Sequence, residues 1–171
     1  VKSFDTLALA VADVGVNNGD TINIKERTTG NGGGAFWDVV LLSTVTVTTG
    51  APAFGNVVAS TGDASLALVL RISGKLNVKE WGATGDGVTD DTLAIQGAID
   101  FLASETAIHF PGGEYIITST IVQDHRVDWT GDGLQYTTIQ NNNVSGEDAI
   151  QFTTAFFQNM SHMRVKGNAL S

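Results

Sequence analysis

Short apolar runs alternate with polar turns along the whole chain, and the period of each run predicts an element. Phe4, Leu7, Ala8 and Val11 recur at i, i+3, i+4 and i+7, the spacing of one helical face, and Ser3 stands where a helix cap belongs. Asn17-Asn18-Gly19-Asp20 then reads as a turn. Thr21 to Lys25 alternates, with Ile22 and Ile24 on one face of a strand. Gly30-Asn31-Gly32-Gly33-Gly34 predicts a loop. Ala35 to Leu42, carrying Phe36, Trp37, Val39 and Val40, predicts a bulky strand. Thr44 to Thr49 alternates, with Val45 and Val47 opposite the threonines, and predicts another strand, as does Leu66 to Ile72.

The pattern changes after residue 76. Val78 to Ala83 predicts a short strand running into a turn, followed by the glycine- and aspartate-rich stretch from Gly85 to Asp91. A helix is expected from about Asp91 to Ala103, with Asp90 or Thr89 as its cap and Ile95, Ile99 and Leu102 as its buried stripe. Asp91 would sit at the positive end of its dipole. Ala107 to Phe110 and Glu114 to Thr118 follow as strands around the turn Pro111-Gly112-Gly113. Further short apolar segments fall near Val127–Trp129, Thr138–Gln140, Ala149–Phe152, Phe156–Met160 and Met163–Val165. A short strand about every ten residues, with no second helix, fits a β-sandwich or a parallel β-helix, and periodicity leaves both open. A solenoid needs a lid over the end of its apolar core. The amphipathic helix just ahead of the strand ladder is placed to be that lid.

Charge sharpens the division. Residues 1–76 hold six acids and five bases, whereas residues 77–171 hold twelve acids and four bases, a net −8. We therefore expect two domains, 1–74 and 75–171. The overall net charge of −9 argues against a nucleic-acid-binding module and against an anionic membrane surface. The 171 residues contain no cysteine, which excludes disulfide scaffolds, thiol catalysis and cysteine-type zinc sites. Gly is frequent, at 20, and Pro rare, at 2, as expected of a mainly β chain with many tight turns. No apolar run approaches the roughly 20 residues of a membrane helix. The first residues lack the layout of a signal peptide, and the absence of an initiator Met suggests processing or a piece of a longer chain. A domain of about 75 residues buries only about 60% of its chain surface, which favours oligomerisation.

The stretch Val78-Lys79-Glu80-Trp81-Gly82-Ala83-Thr84-Gly85-Asp86-Gly87-Val88-Thr89-Asp90-Asp91-Thr92-Leu93-Ala94-Ile95-Gln96-Gly97-Ala98-Ile99 resembles the lead-in motif of pectate-lyase-like β-helix proteins. Ile108-His109-Phe110-Pro111-Gly112-Gly113-Glu114-Tyr115 is similar to its usual continuation, with Trp81 in place of the commoner Phe or Tyr and Gly113 departing from the tightest form. Ahead of it, Phe4-Asp5-Thr6-Leu7, Gly19-Asp20-Thr21-Ile22 and Gly32-Gly33-Gly34-Ala35-Phe36-Trp37 resemble the small domain before the β-helix of many bacteriophage tailspikes. Asn31 and Trp37 replace that pattern's Asp and Tyr. The resemblance implies a small β-rich N-terminal domain with one helix, then the helix-capped start of a right-handed parallel β-helix. It implies a homotrimer on the virion tail, docked on a baseplate or adaptor protein, whose downstream coils bind or cut bacterial surface polysaccharide. An autonomous secreted polysaccharide lyase or glycoside hydrolase and a non-catalytic carbohydrate-binding adhesin are the alternatives. An open solenoid end exposes core and unpaired strands, so more protein is expected after Ser171.

The motif itself reads as architecture. Gly82, Gly85 and Gly87 permit backbone angles closed to other residues, and Asp86, Asp90 and Asp91 can accept turn and cap N–H bonds. Their spacing does not fit a calcium loop, and Pro111 marks the turn between two strands. Gly30-x-Gly32-x-x-Ala35 formally matches a dinucleotide fingerprint, but a strand and not a helix should follow it. No cofactor is expected. Asp124, Asp128, Asp132, Glu147 and Asp148 are the candidate catalytic carboxylates, and Asp128 with Glu147 or Asp148 lies about one coil apart, which would permit a pair. His109, His125 and His162 show no metal-ligating spacing. Trp129, Tyr136, Phe156 and Phe157 could stack on sugars, but core packing or trimer contacts suit them better. Ile116, Val127, Ile139 and Ile150 are expected to line the solenoid core.

Overall fold

A computed structural model describes residues 1–30, 32–47, 55–102, 106–143, 146–153 and 159–167. The chain forms two compact units, Val1–Gly74 with Glu80–Gly82, and Lys75–Lys79 with Ala83–Ser171.

The first unit is a five-stranded sheet. Its strands are β1 (Lys2–Thr6), β2 (Thr21–Thr28), β3 (Gly32–Leu41), β4 (Val57–Ala59) and β5 (Leu66–Leu70), in the order β1-β2-β3-β5-β4. β1 and β2 are parallel and helix α1 (Leu7–Ala12) connects them, while the other pairings are antiparallel. The expected opening helix therefore starts later than its periodicity predicts. Lys2, Ser3 and Phe4 pair with Ile22, Asn23 and Ile24, and this ladder takes the first residues out of the helix. Thr6, not Ser3, is the cap, its Oγ1 accepting from Leu9 N at 3.5 Å, and the buried face is Leu7 and Ala10.

Two further expectations for this unit are corrected. The glycines from Gly32 to Gly34 belong to β3, not to a loop, and Asn31 lies outside the described residues. A Cβ on Gly34 would stand 2.2 Å from the Lys25 carbonyl oxygen, so this close crossing, beside a bulge at Glu26 and Thr28, admits only glycine. Thr44 to Val47 forms no strand: Leu42–Thr44 is a 3-10 turn, and Thr44 Oγ1 donates to Leu41 O at 2.7 Å. Thr48 and Thr49 lie outside the described residues. Ile22, Ile24, Trp37, Val39, Leu68 and Leu70 fill the core. Arg27 is buried among them, 5.5 Å from the Trp37 ring centroid, with Nη1 donating to Gly55 O at 2.9 Å and Glu80 O at 2.5 Å. Burial lowers its guanidinium pKa to about 10.

The second unit is the start of a parallel β-helix. In chain order it has β6 (Leu76–Asn77), the first half of α2 (Val78–Trp81), whose Glu80 and Trp81 belong to the first unit, β7 (Asp86–Asp90), α3 (Thr92–Phe101), β8 (Thr106–Phe110), β9 (Gly113–Ile117), β10 (Ile121–Gln123), β11 (Val127–Gly131), β12 (Thr137–Asn141), β13 (Ile150–Phe152), β14 (Met160–Ser161) and β15 (Arg164–Lys166). Successive strands move from sheet to sheet. The three walls are β6-β8-β11-β14, β7-β9-β12-β15 and β10-β13, and among the described residues their strands pair in parallel. The expected strand at Val78 to Ala83 is instead a two-residue strand, Leu76–Asn77, followed by the single turn α2.

Inward side chains stack from coil to coil. Leu76, Ile108 and Trp129 share one register and all are fully buried. Phe110 stacks on Trp129 at 5.1 Å and meets Tyr115 edge-on at 5.5 Å. Ile116, Val127 and Ile139 are buried as expected, whereas Ile150 is only partly so. Gln123 is buried with both ends satisfied: Trp129 Nε1 donates to its Oε1 at 2.6 Å, and its Nε2 donates to Val127 O at 3.1 Å.

Helix α3 lies in the coil that precedes β10, and it treats that strand as a neighbour. Gln96 Nε2 donates to Val122 O at 2.8 Å, and Val122 N donates to Gln96 Oε1 at 2.8 Å. One side-chain amide thus reproduces the pair of bonds a preceding strand would make, and it blunts the edge of β10. Thr92, Ala94, Ile95, Ala98 and Ile99 form the buried face, and Leu102 follows as the helix C-cap.

Candidate functional site

The lead-in motif folds as a set of carboxylate caps. Asp86 Oδ1 accepts from Val88 N at 2.9 Å and Thr89 N at 2.7 Å, and Oδ2 from the Thr89 hydroxyl at 2.8 Å. These bonds, led by the Thr89 amide, hold its pKa at about 2. Asp90 accepts from Thr92 N at 3.0 Å and from the hydroxyls of Thr92 and Thr118 at 2.5 and 2.7 Å. Asp91 is buried and turns back to Thr84 N at 2.6 Å and Gly85 N at 3.0 Å. Burial pushes its carboxyl above the usual range against the pull of those donors. All three aspartates therefore spend oxygens on the backbone that starts the solenoid.

The glycines have equally local causes. Gly85 adopts φ +62°, and a Cβ there would stand 2.8 Å from the Tyr115 ring. Gly82 and Gly87 take φ of 131° and 76°. Pro111 ends β8, and its carbonyl accepts the Tyr115 hydroxyl at 2.8 Å.

The candidate carboxylates are spread over different walls. Asp128 lies on β11 opposite Ala107, accepts from Asn159 N at 3.2 Å, and has Arg126 Nη2 at 3.6 Å from its Oδ2. Glu147 and Asp148 instead precede β13 on the third wall. Glu147 Oε2 accepts from Asn143 Nδ2 at 3.2 Å, and the Asp148 carbonyl accepts the Thr120 hydroxyl at 2.7 Å. The structure thus does not bring Asp128 together with Glu147 or Asp148. Glu147 and Asp148 border an open groove of about 420 Å³ with Thr120, Gly146 and Gln151. Asp124 is held low by His125, whose Nδ1 lies 2.7 Å from its Oδ1.

One pair escaped linear reading. His109 Nε2 lies 3.2 Å from Asp132 Oδ1, both side chains partly exposed, because Phe110 and Gly131 stack in adjacent coils. Only the coil length, known once Thr106 is paired with Val127, would have exposed it. On the β7-β9-β12-β15 wall, Glu114, Thr138 and Arg164 also align. Arg164 Nη2 donates to Thr138 Oγ1 at 3.1 Å, and Lys166 Nζ reaches Glu114 Oε1 at 3.2 Å. Of the proposed stacking aromatics, Trp129 is wholly buried and Tyr136 is exposed, while Phe156 and Phe157 lie outside the described residues. Among the described residues no helix is long and apolar enough to cross a membrane.

Comparison with known proteins agrees with this architecture. The tailspike of Acinetobacter baumannii phage AM24 superposes with a TM-score of 0.71 at 14% identity, covering 98% of this chain and 29% of that one. The tailspike of Acinetobacter baumannii bacteriophage Fri1, a capsular polysaccharide depolymerase, gives 0.62 at 17% identity, covering 77% and 23%. These likenesses show a shared fold. A probable glucan endo-1,3-beta-glucosidase of Arthroderma benhamiae is 46% identical over 57 residues, 33% of this chain and 6% of the fungal protein. The chain thus spans a small part of each of these relatives. The sequence profile of rhamnogalacturonase A/epimerase, pectate lyase-like proteins matches residues 75–169, more than half of the chain, and the chain belongs to that family.

Proposed function

We propose that the chain is the virion-proximal part of a bacteriophage tailspike. Residues 1–74 attach the spike to the tail through a baseplate or adaptor protein and help it trimerise. Residues 75–171 open the β-helical body, whose full length binds and depolymerises a bacterial surface polysaccharide. The observation that carries this reading is the order of parts: a separate five-stranded unit comes first, then a helix-lidded parallel β-helix. Tailspike AM24 shares that fold over 98% of this chain. The caps formed by Asp86, Asp90 and Asp91 make the motif a foundation for coils and not a reaction centre.

A second reading is an autonomous exported glycoside hydrolase or lyase of the β-helix family, favoured by the fungal glucosidase match. The separation of Asp128 from Glu147 and Asp148 weighs against catalysis by those carboxylates. Immunogold labelling of phage particles with an antibody to residues 1–74 tests the choice. The spike reading expects gold at the tail. Unlabelled particles, together with sugar release by the soluble chain alone, would overturn it in favour of the hydrolase.

A further inference from the structure

Between β11 and β12 the chain turns through residues 132–136 and presents an aromatic side chain outward. Tyr136 is 69% exposed and Leu134 66%, while Phe110, Tyr115 and Trp129 of the same coils are wholly buried. The turn is pinned from both neighbouring coils. Gly113 N donates to Tyr136 O at 2.8 Å, Gly133 N donates to His162 O at 2.7 Å, and Tyr136 N closes the turn on Gly133 O at 3.0 Å. The Tyr136 ring rests against Gly133, where a Cβ would stand 3.1 Å from its Cδ2. A rigid, exposed tyrosine offers contact area at little entropic cost.

Polar groups stand next to it. Asp132 Oδ2 accepts from Gly112 N at 2.8 Å, and Oδ1 faces His109 Nε2 at 3.2 Å. The carboxylate has about four acceptor positions, so two remain for a ligand. Its side chain is 47% exposed and that of His109 31%. Gly112 forms the floor between carboxylate and tyrosine. A Cβ there would lie 3.7 Å from Tyr136 Cβ and 3.8 Å from Asp132 Oδ2.

The geometry points to a subsite for one neutral hexopyranose residue of a polysaccharide, with Tyr136 stacked on the sugar's C–H face and Asp132, held in place by His109, accepting from its hydroxyls. Pyranoses present this combination, an apolar face edged by hydroxyl donors. Charge selects the class. Residues 77–171 carry a net −8, Asp132 included, and among the described residues no Lys or Arg is bonded to that carboxylate, so a uronate would be repelled while a neutral or N-acetylated hexose would not. The assignment deepens the spike reading and rests on it.

Saturation-transfer NMR on the 171-residue chain tests the subsite. The probes are the methyl pyranosides of glucose, galactose, mannose and N-acetylglucosamine, with methyl glucuronide as the anionic control. We expect transfer to the ring C–H protons of at least one neutral sugar and none to the glucuronide. Tyr136→Ala should weaken binding about tenfold, the loss of one stacked ring, and Tyr136→Phe should keep it. Asp132→Asn should weaken it less. Circular dichroism of each variant checks folding. Absence of transfer from every neutral sugar overturns the subsite, as does transfer unchanged in Tyr136→Ala or equal transfer to the glucuronide. Gold on the phage tail without Tyr136-dependent transfer would sink the subsite alone. Unlabelled tails and sugar release by the soluble chain, with Tyr136-dependent transfer intact, would sink the spike reading alone.

Discussion

Replacing Gln96 by leucine removes the side-chain amide that imitates a strand. The wild-type amide makes two bonds of 2.8 Å with Val122, one as donor and one as acceptor, and its Nε2 also donates to the exposed Asp100 Oδ1 at 2.7 Å, a bond that water replaces at little cost. Each such bond contributes about 0.5–1.5 kcal/mol net. Val122 is 38% exposed, so water would satisfy part of what is lost, and the expected cost falls at about 1–2 kcal/mol. For a unit of this size each kcal/mol corresponds to about 4–8 °C in melting temperature. Gln96→Glu discriminates further. A carboxylate still accepts from Val122 N but faces both the Val122 carbonyl and the Asp100 carboxylate without a proton, so it should cost more than leucine at neutral pH and recover on acidification. Thermal unfolding reads the cost, and amide hydrogen exchange at Val122 reads its origin. An unchanged exchange rate at Val122 in Gln96→Leu would refute the idea that this amide guards the edge of β10.

Further tests address the core and the caps. Ile99→Asp places a charge on the fully buried face of α3 and should cost several kcal/mol, roughly 3–5; an unchanged melting point would contradict the lid assignment. Gln123→Ala strands the buried Trp129 indole N–H, with an expected loss of about 1–3 kcal/mol and a shifted tryptophan emission. Intact emission and stability would show that the bond is dispensable. Asp86 has its folded pKa depressed to about 2 from 3.8, so its contribution is present above about pH 4 and fades as pH falls toward 2. Asp86→Asn should therefore lower the urea midpoint at pH 6 yet match the wild type near pH 2, and a constant difference across that range would contradict the linkage.

Much of the second unit is legible in its residues because local and tertiary demands agree there. Ile95, Ile99 and Leu102 announce the buried side of α3, and aspartates beside threonines announce caps that the structure makes. Where the two demands conflict, linear reading fails. Periodicity starts the first helix at Ser3, but pairing with β2 claims residues 2–6 as strand. Thr44 to Val47 alternates like a strand and pairs with none among the described residues. β10 goes unread because it spans three residues and ends in Gln123, whose burial depends on Trp129 and Val127. The carboxylate candidates show the same limit. Separation along the chain suggested a coil repeat for Asp128 and Glu147, yet the walls are distinguished only by strand pairing. That pairing also brings His109 to Asp132.

The size of the chain in solution tests the central claim most directly. A spike anchor that assembles through this region should run as a trimer, three times the 17.9 kDa of one chain, in native mass spectrometry and light scattering at micromolar concentration. A stable, folded monomer of 17.9 kDa under the same conditions would contradict the account.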